Sequence, residues 1–249
     1  MRYSLQLLPV ILPVLFWAGY HYYKDRHLPE PISHLLLALI LGVGSFYLGL
    51  LMYRALDLVN LRYDAYVLAE TSLPGLFAYA VLVIGVIEEL AKMIPFLLLV
   101  IHFKEFDEPI DGIIYASFIA LGFSAVENIQ YLQYVTSLEA WARGFAGPVI
   151  HIVFASIWGY YIGRAHLCRR SLGRTIFAVL ACTAVLHGIY DFVVIGLPPP
   201  ALPVAAFLIV GVWLWRLRLI RDLHSLPLGP CPQDGSIPGD TGDSRRLGD

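Results

Sequence analysis

A chain of 249 residues that is 58% hydrophobic and only 14% charged, with a mean hydropathy of +0.69, carries more apolar surface than one small core can hide. Its solvent must be lipid, which excludes an ordinary water-soluble domain. A formal net charge of −2 supplies no global basic field and argues against nucleic acid as a partner.

A spanning helix needs about 20 mostly apolar residues. Stretches near residues 4–22, 33–53, 75–101, 109–133, 145–166, 173–197 and 201–220 qualify. The expected fold is all-α, a polytopic transmembrane helical bundle of about seven (seven to eight) spans. It forms one domain over residues 1–221. The first stretch shows no small-x-small cleavage site before Lys24 and Arg26, so it reads as an uncleaved anchor rather than a signal peptide. The third carries Glu88, Glu89 and Lys92. Glu88 and Lys92 are four apart and share a helix face, whereas Glu89 is turned roughly 100° away. The fourth carries Phe123, Glu127 and Asn128, the fifth His151, and the sixth His187 with Asp191 one turn on. No internal repeat is visible. Cys168, Cys182 and Cys231 show no paired spacing, which argues against a disulfide framework or a thiolate zinc site. The segment 222–249 is rich in Pro, Gly and Asp and is expected to be a disordered tail.

Orientation follows from Lys and Arg. With seven spans, one side holds Lys24, Arg26, Lys104, Arg164, Arg169, Arg170, Arg174, Arg216, Arg218 and Arg221, and the other Arg2, Arg54, Arg62 and Arg143. The imbalance puts the N-terminus outside and the C-terminus in the cytoplasm of a multi-pass cell-membrane protein.

Each of the intramembrane ionisable groups has a bland reading. Glu88 and Lys92 could be a structural ion pair, Glu127 and Asn128 interhelical glue, and either histidine a packed core residue. Charged groups at mid-bilayer are costly, by about 2.5–3.5 kcal/mol each on insertion scales, and a lone ion pair does not need a second glutamate. Depth is an independent indication. Glu127 and Asp191 precede the outer ends of their expected spans by about two turns, and His151 follows the outer start of its own by as much, so all three lie ~9 Å below the outer surface. His187 falls a turn deeper and Glu88 near the middle. Random polar decoration would scatter, whereas four helices sharing one slab predict a water-filled site opening outward.

Such a site suits hydrolysis. A desolvated glutamate can act as base near neutral pH, and histidine or asparagine can hold water or an oxyanion. Glutamates with histidines also suit zinc. No His-Glu-x-x-His helix and no Gly-x-Ser-x-Gly elbow is present. A metal-bound water and a glutamate-activated one both stay open.

Glu88-Glu89-x-x-Lys92, Phe123-x-x-x-Glu127-Asn128, His151 and His187-x-x-x-Asp191, with Asp111-Gly112-Ile113 leading into Gly122, together resemble the PrsW family of intramembrane proteases over about residues 75–195. The family belongs with CAAX endopeptidases and bacteriocin-immunity-type membrane proteases. The resemblance implies a peptide hydrolase cutting a membrane-anchored protein substrate near its extracytoplasmic end, a site-1-like step of regulated proteolysis; in the family's namesake that substrate is an anti-sigma factor. It implies Glu88 or Glu89 as base, and Glu127, His151 and His187 as groups holding water or a metal such as Zn(2+). Asp191 would orient His187, Lys92 balance charge, and Phe123 and Asn128 support the site. Two other functions are compatible with intramembrane acids: a proton-coupled transporter or channel, which should show repeated halves, and a non-catalytic membrane binding protein.

Overall fold

The computed structural model describes residues 6–24 and 29–225, and among them every regular element is helical. The helices are α1 (Leu8–Lys24), α2 (Ile32–Asp57), α3 (Ala65–Thr71), α4 (Leu73–Tyr79), α5 (Gly85–Leu98), α6 (Pro109–Tyr131), α7 (Ser137–Leu167), α8 (Leu172–Gly196) and α9 (Leu202–Ser225). A π-helical turn, Ala80–Ile84, joins α4 to α5 without a break.

Five helices, α2, α6, α7, α8 and α9, are long and apolar enough to cross a membrane. The two other expected spans correspond to α1, which has 17 residues, and to the run from α4 through α5, which the π turn divides. α9 continues to Ser225, so the expected tail begins later than residue 222, and residues 226–249 lie outside the described ones.

α6 is the hub. In its most apolar window 89% of residues are buried, against 28% in α2 and 11% in the window that includes α9. Ile113, Ile114, Tyr115, Ile119 and Leu121 are sealed on every side of it, as expected of a helix apolar all round. Trp158, Phe154, Phe96 and Met93 complete the interior. Leu15, Ile40, Leu51, Leu82, Phe177 and Phe207 are exposed, a surface that suits hydrocarbon rather than water.

Local sequence sets the helix ends. Thr136 and Glu139 form a capping box at α7: Thr136 N–H donates to Glu139 Oε2 at 2.7 Å and Glu139 N–H to Thr136 Oγ1 at 3.4 Å. Asp111 does similar work at α6, accepting from the N–H groups of Glu108 and Asp107 at 2.7 and 2.9 Å. The resulting α6–α7 hairpin is tight because Gly112 faces Gly159; a Cβ on either would stand 2.2 Å from the other's carbonyl oxygen.

Three sequence expectations change here. Arg216 is completely buried and Arg164 nearly so, so neither is a loop charge; removing them lowers the basic side's excess without reversing it. α7 begins at Ser137 rather than near 145, because its capping box precedes the apolar run. Cys168 is disulfide-bonded, which local spacing could not reveal, while Cys182 is free.

Candidate active site

The end of the bundle nearest the α6–α7 turn gathers polar groups from α5, α6, α7 and α8. Backbone proximity makes this possible. Where α8 crosses the π turn and the start of α5, a Cβ on Gly188 would lie 2.4 Å from Val81 Cα, and one on Gly85 would lie 2.3 Å from the Ala184 carbonyl oxygen. Glycine at both positions lets the two backbones touch, which brings His187 against the Glu88–Glu89 turn.

Glu89 is fully enclosed and saturated. Its Oε1 accepts from Lys92 Nζ at 2.7 Å and pairs with His187 Nδ1 at 2.7 Å, and its Oε2 accepts from Trp158 Nε1 at 2.9 Å. Lys92 is equally enclosed, and its ammonium also meets His151 Nδ1 at 3.3 Å and lies 4.9 Å from the Phe123 ring centre. Lysine only donates, so His151 Nδ1 accepts and its Nε2–H donates to Glu127 Oε2, 2.8 Å away. Arg143 holds the other Glu127 oxygen at 3.2 Å. Two histidines are thus each held from behind by a carboxylate, Glu127 behind His151 and Glu89 behind His187. That arrangement fixes ring orientation and tautomer.

Glu88 stands between their front nitrogens. Its Oε2 is 3.6 Å from His187 Nε2 and 4.0 Å from His151 Nδ1, and it is buried with no hydrogen-bond partner. Asp191 Oδ2 lies 3.7 Å from His187 Nε2, on the same side as Glu88. His187 is therefore oriented through Nδ1 by Glu89, and Asp191 lines the front instead of holding the ring from behind. Glu88, Glu127 and Asp191 keep 14–17% side-chain exposure, whereas Glu89 and Lys92 have none. The open part of the cluster is therefore its Glu88–Asp191–Glu127 rim. Asn128 is buried against Gly147 with both amide atoms unpartnered, and the neighbouring Ser124 hydroxyl is unpartnered as well.

The cluster includes groups that sequence reasoning passed over. Trp158 is not among the sequence candidates, and Arg143 counts there only as a loop charge. Both lie on one stripe of α7 with Gly147, His151 and Phe154, and helical spacing from His151 could have flagged them. The phenol of Tyr53, at the end of α2, lies within electrostatic reach of Glu88, Asp191 and Glu127.

A model of the family described as PrsW family intramembrane metalloprotease matches residues 30–216. The chain belongs to the PrsW family. It is an intramembrane protease and an integral membrane protein. Relatives called Protease PrsW are 31% identical in Oceanobacillus iheyensis, over 85% of this chain and 91% of theirs, and 29% in Geobacillus kaustophilus, over 85% and 89%. The Bacillus subtilis protein of that name is 28% identical over 87% of this chain and 94% of its own. No solved structure matches the chain significantly. Family membership sets aside the transporter reading.

For a PrsW-family metalloprotease the donor set matters. Glu88, His151 and His187 each offer one ligand atom, all within 4.8 Å of one another. Ligands about 2.0–2.2 Å from zinc stand roughly 3.3 Å apart, so the observed 3.6 and 4.0 Å, in a set spread over as much as 4.8 Å, would have to contract, and Lys92 Nζ would have to release His151 Nδ1 to the metal. The unpartnered buried Glu88 Oε2 makes this set a fitting one. Glu127, expected as a ligand, sits behind His151 instead, and Glu88 takes its place in the trio.

Proposed function

We propose that the chain is an endopeptidase that cuts a membrane-anchored protein near its extracytoplasmic side, with Glu88 at the centre of its water-activating machinery. One observation carries this reading. Of the two adjacent glutamates, Glu89 is saturated by three donors, while Glu88 presents an unpartnered buried oxygen between two oriented histidines.

In this reading Glu88, His151 and His187 are the groups that meet the attacking water. Zn(2+) held by these three would supply Lewis-acid polarisation of that water and of the scissile carbonyl. Without zinc, Glu88 serves as the general base, and the same histidines position the water. Glu127 and Glu89 keep the two rings aimed. Lys92 offsets the negative charge from beneath, and the Phe123 ring, 5.3 Å from that of His151, screens this pair from lipid. Asp191 and Arg143 flank the rim where a substrate strand enters, and Asn128 offers an amide to the substrate backbone or to the oxyanion.

The extracytoplasmic assignment rests on the Lys/Arg bias and on seven crossings, with α1 and the α4–α5 run counted as spans beside the five long helices. In that topology the α6–α7 turn faces outward and the chain after Ser225 lies on the cytoplasmic side. A single-span anti-sigma factor is the substrate class we would try first.

The test is cleavage of single-span membrane proteins by the purified protein in detergent, wild type against Glu88→Ala and Glu89→Ala, with and without chelator. We expect cleavage by wild type and none by Glu88→Ala. Normal cleavage by both variants would sink the assignment. Loss on chelation, restored by zinc, would assign the metal version; indifference to chelator would assign the glutamate version.

A further inference from the structure

A second buried polar cluster lies deeper in the bundle, and the chemistry above does not use it. Arg216 of α9 is completely buried. Its Nε donates to Ser156 Oγ on α7 at 2.7 Å, and its Nη2 donates to Ser117 Oγ on α6 at 3.2 Å and to His21 Nδ1 on α1 at 3.0 Å. Ser117 is roughly 15 Å along α6 from Glu127, so the cluster is distinct from the candidate active site. Every one of these acceptors is neutral. Among the described residues no carboxylate pairs with Arg216.

Hydrogen-bond accounting sharpens the point. Arginine has no acceptor, so His21 Nδ1 must accept, and the His21 proton therefore sits on Nε2. That Nε2 is buried without a partner, and so is Arg216 Nη1. A full positive charge and two donor groups are thus left unanswered in an apolar interior, where burying a charge is tolerated only if it is paired. Aromatic rings wall the cluster: Trp17 stacks on His21, Tyr20 on Trp213, and the Arg216 guanidinium lies 5.4 Å from the Trp213 ring centre. This wall favours a compact occupant over a lipid headgroup.

We infer that Arg216 binds a small monovalent anion, chloride or an ion of its size, through Nη1. The anion completes a charge-neutral joint that ties α1 and α9, at the periphery, to the α6–α7 hub. This inference is independent of the catalytic reading.

The experiment is thermal unfolding of the purified full-length protein in detergent, with sodium chloride replacing sodium gluconate at constant ionic strength. The wild-type midpoint should rise saturably with chloride and equally with bromide. Arg216→Gln should lose that dependence. Should Arg216→Gln not fold, the wild-type titration and a bromide anomalous-scattering peak beside Arg216 in crystals still decide. Identical wild-type midpoints in gluconate and chloride would overturn the proposal, as would an unchanged chloride response in Arg216→Gln. Stabilisation by phosphatidylglycerol with no response to chloride would assign the donors to a lipid phosphate and overturn the small-ion site.

Discussion

Glu88 and Glu89 are chemically identical neighbours with opposite surroundings. Glu89 answers Lys92, His187 and Trp158 at once, so it is the anchor of the cluster. Replacing it with Gln leaves the Lys92 ammonium buried and unpaired, a change that typically costs about 3–5 kcal/mol. We predict that Glu89→Gln lowers the unfolding midpoint in detergent markedly, and that Glu89→Gln with Lys92→Met recovers part of the loss. Glu88→Gln, whose Oε2 has no partner to lose, should unfold close to wild type yet cleave nothing. A double variant no more stable than the single one would show that the Lys92–Glu89 pair is not the source of the cost. The sequence presented both glutamates with equal claims, because spacing says which helix face a carboxylate occupies but not which donors meet it there.

Among the helices, the meeting of α8 with the π turn does most to assemble the site. The added Cβ of Gly188→Ala would fall 2.4 Å from Val81 Cα, a backbone atom that cannot swing aside. The helices must then part, which carries His187 away from Glu89. We expect a destabilisation of about 1–3 kcal/mol and at least a tenfold loss of cleavage. Gly211→Ala serves as the control, since nothing lies within 4 Å of its Cβ position. If both variants cleave and melt like wild type, close α8 packing does not position the histidine. The α7 helix illustrates the limit of reading elements from hydropathy. The apolar run begins near 145, but Thr136 and Glu139 start the helix earlier. The level of His151 therefore follows from its 2.8 Å bond to Glu127 rather than from counting along its own helix.

For the whole molecule, the topology proposal makes a direct prediction. Single cysteines placed in the 134–144 segment, in a background lacking the native three, should be labelled by an impermeant reagent from outside intact cells. Those placed at 167–172 should be labelled only after permeabilisation. The reverse pattern would turn the site toward the cytoplasm. Deleting residues 232–249, which keeps Cys231, should leave cleavage within about twofold of wild type, since a sequence so rich in Pro and Gly offers little apolar surface. A larger loss would give the tail a part in substrate handling.

The sequence alone determined that this is a helical membrane protein with acids and histidines on neighbouring spans, and its motifs pointed to the family. Composition dictates the solvent, and helical periodicity assigns each polar group to a helix, so both are local properties that one strand of text contains. Only the tertiary structure decided that Glu127 stands behind His151 while Glu88 stands in front, that Glu89 rather than Asp191 holds His187, and that Arg216 is a buried core charge instead of a loop residue. Each of those outcomes depends on how closely backbones approach: at Gly112 and Gly159 for the α6–α7 pair, and at Gly85 and Gly188 for His187. Close approach is a property of pairs of helices distant in the chain, and the spacing within one helix does not encode it.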